Sequence, residues 1–155
     1  MNYLKQADIA YNAIVEIIRL KSPLSAAFKK AWSLIKGKAI ESKVAGVTKG
    51  NRQKALHRIL THYTPNQVRV WLERDKANLH DNNAVAVMIS VNNSKSYKIG
   101  YIPKNLAYVI SAIVDKGISL KTTFKEVRGH YTRFMNYGAV TVSYTHLRAH
   151  ETKAN

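Results

Sequence analysis

From Gln67 to Ile102 the chain reads as short β-patterned runs cut by polar turns, and this pattern constrains the fold more than any other feature. Gln67 to Glu73 alternates polar and apolar residues, with Val68, Val70 and Leu72 set against Arg69, Trp71 and Glu73. Such period-two alternation marks a half-buried strand. A polar turn ending in His80-Asp81-Asn82-Asn83 follows, and Ala84 to Val91 is a more continuously apolar strand. Asn92-Asn93-Ser94 turns the chain and Tyr97 to Ile102 returns as the second arm of a hairpin.

The flanks add helices and further strands. Pro103 opens a helix with Leu106, Val109, Ile110, Ile113 and Val114 at helical spacing, and Gly117 is placed to cap its end. Ile118 to Val127 and Gly138 to Tyr144 are expected as the last two strands. Upstream, Val44 to Val47 reads as a short strand, Gly50 as a turn, and Asn51 to His62 as a helix burying Ala55, Leu56, Ile59 and Leu60. Thr64-Pro65-Asn66 is a turn. The expected class is α+β, mainly β: a small OB-like or SH3-like barrel with two packed helices, rather than a parallel α/β sheet.

Before the barrel, Asn2 to Leu20 carries a helical stripe of Ile9, Ala13, Ile14, Ile17 and Ile18. Ser22-Pro23 restarts the chain as N-cap and first helical residue. The helix expected over Leu24 to Ala39 is amphipathic, with Phe28 and Trp32 on its apolar face and Lys29, Lys30, Lys36 and Lys38 mostly off it. The pattern breaks around Gly37 to Lys43, which divides the chain into a basic helical extension, residues 1–42, and a barrel domain, residues 43–144. The last thirteen residues, SYTHLRAHETKAN from position 143, resemble a translated sequencing-library adapter and are expected to be a non-native tail. On that reading the His146, His150 and Glu151 array has no biological meaning.

Charge narrows the partner. The formal net charge is +16, from 25 Lys and Arg against 9 Asp and Glu. Between Ile17 and Leu72 there are twelve Lys or Arg and one acid, Glu41. A field of that asymmetry attracts polyanions, nucleic acid before anionic membrane. The absence of cysteine excludes disulfides, thiolate zinc sites and a cysteine nucleophile, and fits a reducing cytoplasm. No run approaches the ~20 apolar residues of a membrane helix, and the N-terminus lacks the basic start of a signal peptide.

No catalytic signature is present: there is no P-loop, dinucleotide glycine motif, nucleophile elbow or HExxH. His57 and His62 are five apart, the wrong spacing for one helical face, and read as surface residues. Glu73, Asp75 and Asp81 could bind magnesium in a nuclease but lack a later Glu-x-Lys element. The chain is therefore read as a non-enzyme with no cofactor or metal.

Three short elements stand in order: Glu73-Arg74-Asp75, then Asp81-Asn82-Asn83-Ala84-Val85, then Ile99-Gly100-Tyr101-Ile102-Pro103. They resemble the strand-end R-D step, the D-x-N-A-I element and the I-G-Y-[IL]-P element of the HIRAN domain, over about 100 residues from Val44 to Tyr144. The resemblance implies a small stand-alone prokaryotic or phage member: a β-barrel that recognises DNA, in the characterised case the 3′-hydroxyl end of a single strand. Larger members fuse it to a helicase-like ATPase, which is not present here, so the implied role is recruiter or sensor in DNA repair, replication or recombination. A cytoplasmic, nucleoid-associated location goes with it.

The resemblance assigns Asp81 to the terminal 3′-OH. A carboxylate accepts from a hydroxyl and repels a phosphate, so it can tell the two ends apart. His80 falls where the family stacks a residue on a base; imidazole stacks on less area than tyrosine. Tyr101 corresponds to a base or sugar contact and Lys104 to a phosphate contact, with Arg74 added from the R-D step. Asn83 is read as holding the loop through the backbone, and the plainer reading of the whole Asp81-Asn82-Asn83 run is turn closure alone. One departure stands out. Where end-binding members carry an Arg and paired aromatics, this chain has Gly46-Val47-Thr48-Lys49-Gly50-Asn51-Arg52, so Lys49 and Arg52 remain for phosphates but the aromatic wall is missing. Tyr131, Phe134 and Tyr137, interleaved with Arg128 and Arg133, either replace it or pack the last hairpin. Two other readings stay open: a protein-interaction adaptor docking through Phe28 and Trp32, and an RNA or general nucleic-acid binder.

Overall fold

The computed structural model describes residues 26–130 and 135–145. The N-terminal stripe over Asn2 to Leu20, the Ser22-Pro23 restart, Tyr131, Arg133, Phe134 and residues 146–155 lie outside these described residues. In chain order the elements are α1 (Ala26–Ile35), β1 (Ile40–Lys43), α2 (Arg52–His62), a 3-10 turn (Pro65–Gln67), β2 (Val68–Arg74), β3 (Val85–Val91), β4 (Tyr97–Tyr101), α3 (Lys104–Asp115), β5 (Leu120–Gly129) and β6 (Tyr137–Thr145).

The strands form one antiparallel sheet in the order β1-β6-β5-β2-β3-β4. β5 joins β2 through the pair Arg69↔Thr123. The sheet curls until its two edges meet: Ala45, just past β1, exchanges both backbone hydrogen bonds with Tyr101 of β4, at 2.7 and 2.9 Å. A mainly β half-barrel with helices packed on it is thus the architecture, as expected from the strand and turn pattern.

Closure depends on Gly100. A Cβ at this position would sit 2.2 Å from the Ala45 carbonyl oxygen and 2.5 Å from Val44 Cγ1. Only glycine lets the two edges approach so closely. This is the physical reason for the Gly in the Ile99-Gly100-Tyr101 step.

The core is filled from both layers. Val85, Val87 and Ile89 of β3, Ile99 of β4, Leu56 and Ile59 of α2, and Leu106, Ile110 and Ile113 of α3 are all buried. Each fully buried aliphatic side chain of this size contributes about 1.5–3 kcal/mol. α3 ends at Gly117, where Ile118 N–H reaches back to the Ile113 carbonyl at 3.2 Å, closing the last turn as the Gly predicted. Polar groups inside are paired: Thr122 Oγ1 and Ser143 Oγ lie 2.9 Å apart across β5 and β6.

The first strand differs from its expected position. It is Ile40–Lys43 rather than Val44 to Val47, and Ala45 supplies only an isolated bridge. The sequence Ile-Glu-Ser-Lys hides its alternation, because the inward positions are Ile40 and Ser42 and the outward ones carry charges. Charged side chains facing out are what an edge strand tolerates. β1 straddles the boundary placed at residue 42, and Leu34 of α1 is fully buried in the same core. Trp32 packs partly buried against that core as well. Of the adapter-like tail, Ser143, Tyr144 and Thr145 complete β6, and Thr145 Oγ1 donates to the Leu34 carbonyl at 3.2 Å.

Candidate nucleic-acid interface

The candidate interface lies where the barrel closes. β4 delivers Tyr101 to the seam, and the turn between β2 and β3 rises beside it. Tyr101 Oη donates to Asp75 Oδ2 at 2.7 Å and accepts from Lys98 Nζ at 2.6 Å. The tyrosine hydrogen bond is the largest influence holding the Asp75 carboxyl below its usual range, helped by Asn78 and Lys98 and opposed by desolvation. The Arg52 guanidinium lies 5.9 Å from the Tyr101 ring centroid, and the Lys98 ammonium, at the hydroxyl edge, 4.7 Å from it. Attraction to the ring helps hold the guanidinium, and the hydrogen bond to Oη holds the ammonium.

Lys98 was not singled out from the sequence, for a structural reason. In a regular strand, residues three apart point to opposite faces. Here β4 carries a bulge: Val87 pairs with Gly100 but Met88 with Lys98, leaving Ile99 as the extra residue. The bulge shifts the alternation by one and brings Lys98 and Tyr101 to the same side. The consecutive buried residues Ile99 and Gly100 are its only trace along the chain.

A sequence of hydrogen bonds leads from Tyr101 to the loop. Asp75 meets Asn78 Nδ2 at 3.5 Å. Asn78 Oδ1 in turn accepts from the backbone N–H groups of His80, at 2.9 Å, and Asp81, at 3.1 Å. Asp81 Oδ1 then accepts from Asn83 N–H at 2.9 Å, an Asx turn. Turn closure is therefore part of what Asp81 does. Its second carboxylate oxygen has no hydrogen-bond partner among the described residues, and His80 is exposed next to it.

Arg74 takes a different place from the other basic candidates. Its guanidinium donates to Asp115 Oδ1 at 3.0 Å, to the Ala84 carbonyl at 2.8 Å and to the Asn82 carbonyl at 2.8 Å. Its side chain is only 12% exposed. It clamps the Asp81–Ala84 turn from beneath instead of facing out. Arg52 is tied by one nitrogen to the Gly46 carbonyl at 2.6 Å, and the fork keeps further donors. Lys49 is exposed in the loop before α2, and Lys104 is exposed at the first turn of α3, three residues beyond Tyr101.

The other sequence candidates sort themselves on geometry. Glu73 accepts from Trp71 Nε1 at 2.9 Å, Asp75 is held by Tyr101, and no cluster of three or more His, Cys, Asp or Glu able to hold a metal occurs among the described residues. His57 and His62 are both exposed. His57 Nδ1 lies 2.6 Å from Tyr137 Oη, while His130 stacks on the Tyr137 ring at 4.4 Å. Gln53 ties the Tyr137 backbone through both its amide N, at 2.9 Å, and its amide O, at 2.8 Å. Tyr137 thus anchors the last hairpin to α2. Glu41, the lone acid in the basic stretch, is neutralised by an ion pair with Lys125, which also lowers its pKa.

Comparison with known proteins joins this geometry to a family. The family model of the HIRAN domain matches residues 38–137. The chain belongs to the HIRAN domain family. Membership supports a role in binding nucleic acid and a binding rather than catalytic module. Among solved structures, the HIRAN domain of human HLTF is similar at 22% identity, with 76% of this chain and 85% of that chain covered and a TM-score of 0.43. The search of curated proteins gives no match. No helix among the described residues is long and apolar enough to cross a membrane.

Proposed function

We propose that this HIRAN protein binds single-stranded DNA and recognises its 3′-hydroxyl end, without catalysing a reaction. The observation that carries the reading is the Asp81 turn. One carboxylate oxygen is spent on the Asn83 N–H, and the other is left without a partner beside exposed His80. A terminal hydroxyl can donate to that oxygen, whereas a terminal phosphate meets a like charge. His80 and Tyr101 offer ring faces to the last bases. Lys49, Arg52 and Lys104 meet phosphates, and Arg74 holds the turn in place. Recruitment of repair, replication or recombination machinery to such ends is the corresponding role.

The test is fluorescence anisotropy with one labelled oligonucleotide sequence ending in 3′-OH or 3′-phosphate. Asp81→Asn keeps an acceptor for the Asn83 N–H but removes the charge; Asp81→Ala removes both. The wild type is expected to prefer the hydroxyl end, and Asp81→Asn to bind both ends alike while keeping its melting temperature. Equal wild-type binding to the two ends would defeat end recognition. An RNA oligonucleotide of the same sequence tests the sugar preference, since a 2′-OH is the feature that separates the two acids.

A further inference from the structure

A second basic surface adjoins the Tyr101 site. Between α2 and the β3–β4 hairpin runs an open groove of about 900 Å³. Lys49, Arg52, Lys54, Arg58 and Lys98 line it, and among the described residues no carboxylate does. Its lining also includes Ile59, Val91 and the partly buried rings of Tyr63 and Tyr97. Burial pushes the Tyr97 hydroxyl pKa up, with the Arg58 charge pulling the other way. Arg52 and Lys98 belong to both places, flanking the Tyr101 ring and lining the groove.

Charge and shape together select the occupant. Lys54 and Arg58 are four apart on α2, which places them on one helical face about 5–6 Å apart. Both are exposed, and neither forms a salt bridge among the described residues. α2 carries no acid along its length. Cations along a wall with aromatic and aliphatic side chains between them suit a strand that alternates phosphates with flat bases.

We infer that this groove is an extended nucleic-acid track, holding the part of the strand 5′ to the end bound at Tyr101 and Asp81. The inference rests on the proposed end recognition for its direction but not for its existence. The groove sets how many nucleotides are covered, whereas the Asp81 loop sets which end is accepted.

The experiment uses the full chain and two single-stranded 3′-OH oligonucleotides of about 4 and about 16 nucleotides, spanning the usual single-strand site sizes. The variant is Lys54→Glu with Arg58→Glu, its folding checked by circular dichroism. Wild type is expected to bind the long strand more tightly than the short one. The variant should bind the short strand as wild type does and lose the gain with length. Its log–log salt slope on the long strand should be shallower by about 1.4, the value of two single-strand phosphate contacts. Equal wild-type affinity for both lengths, or an unchanged variant slope, would overturn the track. Displacement of the long strand by poly-glutamate at equal charge would assign the groove to acidic peptides instead. Failure of the end reading looks different: length dependence persists, but 3′-OH and 3′-phosphate strands bind alike.

Discussion

Gly100→Ala tests the closure on which the proposed site rests. The new Cβ would lie 2.2 Å from the Ala45 carbonyl oxygen and 2.5 Å from Val44 Cγ1. Ordinary contact needs about 3.5 Å, so the two edges must separate by about 1 Å. The two closing hydrogen bonds, at 2.7 and 2.9 Å, then pass out of bonding range. Losing them costs about 1 kcal/mol each, and the residual overpacking costs about 1–3 kcal/mol. The total, about 3–5 kcal/mol, is a large part of the 5–15 kcal/mol typical of a domain. At about 2–4 °C per kcal/mol, the melting temperature should fall by about 10 °C.

Gly117→Ala is the matched control. Its φ is +73° and nothing lies within 4 Å of the added Cβ. It should lose only the left-handed backbone penalty of about 1–2 kcal/mol. Urea denaturation followed by circular dichroism measures both variants, and anisotropy with a 3′-OH strand follows the site. Because Tyr101 is the next residue, Gly100→Ala should also weaken binding under conditions where it remains folded. A loss from Gly100→Ala of less than about 1 kcal/mol, or no larger than from the control, would refute the reasoning.

Other perturbations address the loop and its carboxylates. Arg74→Ala should destabilise by about 2–3 kcal/mol through its charged bonds to the turn carbonyls, since the half-exposed Asp115 pair adds little. Arg74→Lys should not restore it, because one ammonium cannot span Ala84, Asn82 and Asp115. Faster amide exchange at Asn83 and Ala84 with an unchanged DNA salt slope would mark Arg74 as a clamp; a shallower slope would make it a phosphate contact. Tyr101→Phe should raise the Asp75 pKa toward the ordinary carboxylate value, read by carboxyl NMR titration. The folded-state pKa of Asp75 is depressed, so its contribution to stability is present above the ordinary value near 3.9 and is lost as pH falls through the depressed one. Wild type should therefore lose this contribution on acidification, and Tyr101→Phe should show a smaller acid-dependent loss in urea melts.

Much of the fold was legible because burial and backbone geometry write themselves into local sequence. Val68, Val70 and Leu72 announced a half-buried strand, the β3 run a covered one, and Asn92-Asn93 the hairpin whose residues take φ values of 50° and 59°. Pro103, Gly117 and the 3.6-residue spacing between them bounded α3 to within a residue or two. The ordered elements around Asp75, Asp81 and Gly100 were enough to reach the family. By contrast, β1 was displaced by four residues, because Ile-Glu-Ser-Lys has polar side chains at three of its four positions and gains its place only by pairing with β6.

The sequence by itself determined the element types, the turn positions and the excess of positive charge, since these depend on neighbours in the chain and on composition. Tertiary structure alone decided what each charge does. Arg74 and Arg52 look equivalent in the sequence, yet one is turned inward to clamp carbonyls and the other stands over Tyr101. Lys98 joined the site only through the Ile99 bulge, and Lys54, Arg58 and Tyr97 came to one groove only when the sheet curled and α2 packed on it. Those outcomes depend on contacts between residues far apart in sequence, which no local pattern encodes.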